Sequence, residues 1–210
     1  MFVLIISLYH SHAYVAKCWG TQLQDAGILK HLLVITTENY SCTTEPVTVL
    51  IELMSCVDKG KVVHSAVLDF SNAFDKVSHS LLIAKMIKYK FDMAVIRWIQ
   101  DFLSDRAQCV VLNNIRSSCL PVISGVPQGS VLGPILFLIF IDDISQSLTS
   151  ASIKLFADDA LAYMAVEGEH DRLSFQEDLH RLCDWADENQ MSFNAKKCEI
   201  VIFQKIESKV

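Results

Sequence analysis

No two of the seven cysteines stand in a CxxC spacing, and their number is odd. Cys18, Cys42, Cys56, Cys109, Cys119, Cys183 and Cys198 are scattered along the chain. That distribution argues against a disulfide framework and a cysteine zinc site, and it fits a reducing, intracellular compartment, nucleus or cytoplasm. Long apolar runs are also missing. The N-terminal run Met1–Leu8 falls far short of the roughly 20 residues that span a bilayer. No basic residue precedes it, as one would in a secretory signal. Neither a membrane partner nor a signal peptide is expected. Bases are scarce at the front, where residues 1–58 hold only Lys17 and Lys30. The formal net charge of -6 is an awkward sign for a protein that grips phosphate backbones, although the stretch from Lys59 to Arg116 is locally basic. His10 and His12 have no third ligand nearby and read as incidental. Internal repeats, low-complexity tracts and obvious linkers are absent.

What is present is apolar content, 51% of 210 residues, enough for a packed core in one domain. Residues 1–45 are poorly defined by pattern, a leader or a remnant of another part, and the readable domain covers 46–205. Thr36–Pro46 reads as a loop leading into a helix with Val47, Leu50, Ile51 and Met54 at helical spacing, ended by Lys59-Gly60. Val62–Phe70 is β-branched and apolar, a buried strand. A turn at Ser71–Asp75 leads to a helix with Leu82, Ile83, Met86, Ile87 and Tyr89 inward, then a second with Ile96, Ile99 and Leu103. Asn113-Asn114 marks a hairpin turn between Cys109–Leu112 and Arg116–Val122. Ser124–Ser130 is a loop of turn formers before an apolar core helix, Val131–Ile141. Ile153–Phe156 and Leu161–Tyr163 bracket a tight turn. Phe175, Leu179, Leu182 and Ala186 mark an amphipathic helix, and Cys198–Phe203 a last strand. The irregular alternation with a central hairpin favours an α+β fold: an antiparallel sheet packed on helices.

Two pairs of adjacent carboxylates stand out. Asp142-Asp143 follows the apolar helix, a poor place for anions, and reads as a solvated exit. Asp158-Asp159 lies in the turn between two apolar strands, where it would be held rigid. Adjacent carboxylates repel and call for a cation, and Mg²⁺ is the hard, oxygen-seeking one used with phosphates. Asp69, at the end of its own strand, supplies a third carboxylate if neighbouring strands bring the three together. Acidic triplets also serve nucleases, phosphatases and plain salt-bridge networks.

Three blocks, Ala66-Val-Leu-Asp-Phe-Ser-Asn-Ala-Phe-Asp-Lys-Val77, Ser124-Gly-Val-Pro-Gln-Gly-Ser-Val-Leu-Gly-Pro-Ile-Leu-Phe137 and Leu155-Phe-Ala-Asp-Asp159, resemble consecutive motifs of reverse transcriptases, in the right order. The version is similar to that of non-LTR (LINE-type) retrotransposons. Phe102–Gln108, Val111–Asn113 and Met191–Cys198 extend the resemblance over roughly 40–205. It implies a polymerase palm with a central Asp-Asp hairpin, transferring a nucleotide from a dNTP to a primer 3′-hydroxyl on an RNA or DNA template. It implies two Mg²⁺ ions, with Mn²⁺ as a substitute, held by Asp69, Asp158, Asp159 and the Phe70 carbonyl. Phe74 then resembles the aromatic gate against a ribose 2′-hydroxyl, flanked by Ala73 and Phe70. Gly125, Pro127, Gln128 and Gly129 match the loop that meets nucleotide and template, the glycines letting backbone approach the substrate. Lys197, with Lys196 beside it, matches a lysine that protonates pyrophosphate, and Arg106 is a candidate nucleic-acid contact. No obligate protein partner is implied.

The departures are specific. Ile35–Thr44 keeps Ser41, Thr43 and Thr44 but lacks the Gly and Arg of the basic fingers. The chain stops soon after the lysine motif, leaving no room for a full thumb. The expectation is a palm with incomplete fingers: a truncated or decayed element copy, or a partial gene model. Two competing readings stay open: a relic that folds but does not polymerise, and a metal-dependent phosphohydrolase in which His64 would activate water.

Overall fold

The computed structural model describes residues 44–205 apart from Val131 and Ala157; the expectations for residues 1–43 lie outside the described residues. In chain order the elements are α1 (Thr44–Asp58), β1 (Val62–Asp69), α2 (Ala73–Lys76), α3 (His79–Lys88), α4 (Met93–Leu103), β2 (Ala107–Gln108), β3 (Val111–Leu112), β4 (Ile115–Arg116), β5 (Leu120–Pro121), α5 (Leu132–Ile141), a 3₁₀ turn (Asp142–Ser147), β6 (Ser152–Phe156), β7 (Asp159–Val166), α6 (Glu169–Glu188) and β8 (Glu199–Phe203). The described residues form two compact units, one made of residues 44–71 with 141–205, the other Asn72–Phe140.

The first unit is built on an antiparallel sheet of order β6-β7-β1-β8. Side chains alternate across a sheet, so the register sorts its faces. Ala66, Ala160, Ala162, Ile153 and Leu155 share one face and are buried. Phe175 of α6 reaches that side and meets the His64 ring edge-on, with centroids 6.3 Å apart. Val63, Leu161, Tyr163 and Phe156 lie on the other face, where α1 packs Val49 and Leu53 against them. The helix over 44–58 therefore forms where the apolar spacing puts it, with Gly60 (φ 79°) taking the chain out of it. Its inward face, however, is Val49 and Leu53, while Val47, Leu50, Ile51 and Met54 are half or more exposed. All of these positions are apolar, so periodicity alone could not choose between the faces.

Asp142-Asp143 is not a solvated exit. The chain winds on from α5 into the 3₁₀ turn, Asp142 is only 9% exposed, and Asp143 Oδ1 accepts the indole N–H of Trp185 at 2.9 Å. Asp178, fully buried on α6, accepts the backbone N–H groups of Thr149, Ser150 and Ala151 and so fixes the entry into β6.

The second unit holds α2 to α4, the hairpin and most of α5. Ile96, Ile99 and Leu103 are buried as their spacing requires, and Asp92 caps α4 by accepting the Ala94 N–H. In α3, Leu82 and Met86 are buried but Ile87 is exposed, and the third inward residue is Lys85. Its ammonium donates to the Phe140 carbonyl at 2.6 Å, beside the Phe140 ring. The Asn113-Asn114 turn forms as expected, both residues at positive φ between β3 and β4. Val110, Val111, Leu112 and Ile115 of this hairpin are all strongly exposed.

Candidate active site

The sheet brings the carboxylates together. Asp69 closes β1 and Asp159 opens β7, and the register pairs them directly across the two strands. Asp158 sits in the turn just before, in a hairpin whose last pair is Phe156 with Asp159. Like charges placed opposite one another on a sheet repel. The Asp159 carboxyl shows it: burial first, then Asp158 and Asp69, push its pKa up, while Lys197 pulls it down. Asp69, Asp159 and Lys197 line one depression of about 470 Å³, with Val67, Phe156, Ala160 and Leu161 as its apolar walls.

Lys197 arrives from a turn closed by its own N–H and that of Cys198 on the Asn194 carbonyl, and its ammonium donates to Asp69 Oδ1 at 3.2 Å. This turn is tied to the end of β1. The Asn194 N–H donates to the Asp69 carbonyl at 2.7 Å, and the Ser71 N–H to the Ser192 carbonyl at 2.8 Å. Those two bonds frame a bridge between Phe70 and Phe193 that leaves the Phe70 N–H and carbonyl out of it. The Phe70 ring is 3% exposed, stacked on Phe193 and tilted against Trp185, so it belongs to the core. What Phe70 can offer a ligand is its carbonyl. His64 lies on the opposite face of β1 from Asp69, an odd number of residues away and turned to Phe175, which removes the basis of the phosphohydrolase reading.

In the second unit, Gly125 stands at φ 83° and is buried. A Cβ there would lie 2.8 Å from the Asp75 Cα and carbonyl oxygen, so within the protein the close approach that requires glycine is to the Asp75 backbone. Gly129 has φ 80° and open space around it, and Gln128 and Gly129 are exposed. Pro127 is half-buried. The Arg106 guanidinium donates to the carbonyls of Leu103 and Gly125, and burial holds its pKa below the usual value; its visible task is to hold the loop. The Phe74 ring is half-buried and lies 4.7 Å, centroid to centroid, from Phe137, while Ala73 is 3% exposed. His79, whose Nε2 donates to the Gly125 carbonyl at 2.8 Å, had no signal in the sequence, because its partner is a main-chain atom 46 residues on.

Residues 22–208 match the family described as Reverse transcriptase (RNA-dependent DNA polymerase). The chain belongs to the reverse transcriptase family. A probable RNA-directed DNA polymerase from transposon X-element of Drosophila melanogaster is 30% identical over 77% of this chain and 18% of its own length. The RNA-directed DNA polymerase from mobile element jockey of the same organism is 33% identical over 66% of this chain and 16% of its length. A retrovirus-related Pol polyprotein from type-1 retrotransposable element R2 of Popillia japonica is 27% identical over 67% of this chain. The chain thus spans less than a fifth of the first two relatives and is a reverse transcriptase domain of their non-LTR type. Telomerase from Candida tropicalis, solved with a TWJ fragment of telomeric RNA, superposes with a TM-score of 0.61 at 11% identity over 90% of this chain and 34% of that one. The apo enzyme truncated from its C-terminal domain gives 0.60 over 79% and 36%. The reverse transcriptase likeness in these structures is one of fold, and it bears out the palm-like antiparallel sheet on helices.

Reverse transcriptases as a family use divalent metals. In this domain Asp69, Asp158 and Asp159 fit such an ion in kind, being hard oxygen donors whose mutual repulsion a cation would relieve. Among the described residues no three His, Cys, Asp or Glu side chains are already closed into a ligand set. No helix among them is long and apolar enough to cross a membrane.

Proposed function

We propose that this domain performs RNA-directed DNA synthesis, joining a dNTP to a primer 3′-hydroxyl with release of pyrophosphate. The observation that carries this is the direct pairing of Asp69 with Asp159, with Asp158 in the adjoining turn. Asp69, Asp158, Asp159 and the Phe70 carbonyl would hold two Mg²⁺ ions, with Mn²⁺ able to replace them; when bound, such a pair stabilises the attacking and leaving oxygens of an in-line displacement. The chain's own residues do the rest. The three carboxylates sit on strand ends and a tight turn, so their positions are set before substrate arrives. Val67, Phe156, Ala160 and Leu161 border Asp69 and Asp159 with apolar surface. Lys197 reaches this depression, so its ammonium can donate a proton toward departing pyrophosphate. Phe74 would bar a ribose 2′-hydroxyl and so select deoxynucleotides, with Ala73 beside it. Gly125, Pro127, Gln128 and Gly129 would meet the nucleotide and template, with the exposed Gln128 amide supplying hydrogen bonds.

The partners are an RNA or DNA template with its primer and dNTPs, which implies action inside the cell. The test is primer extension on an RNA template with Mg²⁺ and dNTPs, run beside Asp158→Asn. Expected is a product that disappears with the substitution; equal product from both proteins, or none from either, sinks the assignment to this chain.

A further inference from the structure

We propose that Asp75 is a positioning residue for the nucleotide-facing loop, one that holds the Gln128 amide in a fixed orientation next to the segment carrying Phe74. This rests on the reading of Phe74 and Gly125–Gly129 as nucleotide-contacting parts, and it names what holds them in place. Three contacts converge on Asp75. Gln128 Nε2 donates to its Oδ1 at 3.1 Å, and Ser124 Oγ donates to its carbonyl at 2.9 Å. The missing Cβ of Gly125 lets the loop backbone come down directly on the Asp75 backbone. On either side of Asp75, the Val126 N–H donates to the Phe74 carbonyl and the Gly125 N–H to the Val77 carbonyl, both at 2.8 Å. His79 and Arg106 both donate to the Gly125 carbonyl, also at 2.8 Å.

The backbone of the loop is therefore fastened by several independent bonds, whereas the exposed Gln128 side chain is held by one. A carboxylate only accepts, so it takes the NH₂ end of the amide and no other. That leaves the Gln128 Oε1 and the second N–H, in a known orientation, for a ligand. Ordering a flexible side chain before binding removes an entropic penalty from the binding step. The consequence falls on nucleotide affinity. Asp75 touches no reacting atom in this arrangement and acts only through Gln128.

The experiment uses the full chain with Asp75→Ala and the isosteric Asp75→Asn, thermal unfolding serving as the folding control. Two readouts are taken. In the first, glutamine side chains are labelled with ¹⁵N and the Gln128 amide pair is assigned by its loss in Gln128→Ala. Expected is a Gln128 pair displaced from the free-glutamine position in the parent chain and returned to it in Asp75→Ala. In the second, single-nucleotide insertion is expected to show KM for the dNTP raised severalfold, up to about tenfold, in Asp75→Ala, the cost of ordering one flexible side chain at the binding step, with kcat within about twofold. Asp75→Asn, which can present either end of its own amide, should fall between. A Gln128 resonance that ignores Asp75→Ala overturns the proposal. So does a displaced resonance with unchanged KM, or a fall in kcat at constant KM. If the parent chain extends no primer, the polymerase reading fails, and the resonance still decides whether Asp75 orients Gln128.

Discussion

Asp178→Ala should be among the most damaging single substitutions in the first unit. The Asp178 carboxylate has no exposed surface and accepts five hydrogen bonds: the N–H groups of Thr149, Ser150 and Ala151 at 3.0, 2.8 and 2.7 Å, Thr149 Oγ1 at 2.9 Å and Arg181 Nη1 at 2.8 Å. A hydrogen bond to a charged group contributes about 1.5–3 kcal/mol net. The five do not add, because Thr149 and Ser150 are exposed and water replaces part of what is lost. A loss of about 3 kcal/mol remains, which in a chain of this size lowers Tm by roughly 6–12 °C. The effect must also depend on pH. Burial acts to raise the Asp178 pKa, but the hydrogen bonds outweigh it and the folded value lies below the ordinary one. Its stabilisation is thus fully present above the unfolded carboxylate pKa of about 3.9 and is lost as pH falls through the folded value. Urea unfolding followed by tryptophan fluorescence, at pH 7 and near pH 3, tests both parts. A difference under about 1 kcal/mol at pH 7 refutes the reasoning, as does a difference that does not shrink in acid.

Gly125→Ala should cost about 2 kcal/mol, through a strained positive φ and a Cβ forced against the Asp75 backbone, whereas Gly129→Ala, strained but in open space, should cost about 1 kcal/mol or less; urea midpoints of the two variants give the comparison. Asp159→Asn should raise the urea midpoint at neutral pH, because a carboxyl whose folded pKa is raised opposes folding when charged. That gain should vanish as pH falls and the parent Asp159 takes up its proton. Asp69→Asn should bring the Asp159 pKa down toward its ordinary value, read from the carboxyl carbon shift in an NMR titration, since one of the two facing charges is removed. Arg106→Ala should loosen the loop by about 1–2 kcal/mol through loss of its bonds to the Leu103 and Gly125 carbonyls, and a midpoint unchanged by the substitution would contradict that role.

Much of the first unit was legible in the chain because its strands announce themselves. The β-branched run ending at Asp69 and the two apolar runs around Asp158-Asp159 are short, buried and bounded by turn residues. The Asn113-Asn114 turn was legible for a similar reason, since few residue pairs accept two successive positive φ angles. The face of α1 was not, because its apolar residues Val47, Val49, Leu50, Ile51, Leu53 and Met54 cover far more of the helix than the side that Val49 and Leu53 bury. Asp142-Asp143 was misread because its partner, Trp185, lies 42 residues on, and nothing local distinguishes a paired carboxylate from a solvated one. The same limit hid His79, Asp178 and the bonds by which Arg106 holds the loop, all of which reach main-chain atoms. Gly125 shows a subtler case. Its conformation was foreseeable from the loop, but whether the space it leaves belongs to a substrate or to Asp75 depends on tertiary packing.

The proposed cation site can be tested without asking the chain to polymerise. Mn²⁺ titration of the full chain, followed by the loss of its free-ion electron paramagnetic resonance signal, should give saturable binding that weakens at least tenfold in Asp69→Asn and in Asp158→Asn, with Asp143→Asn, which lies against Trp185 instead, unchanged. Equal Mn²⁺ affinity in the parent chain and the Asp69 and Asp158 variants would contradict a metal-binding role for the strand-end carboxylates.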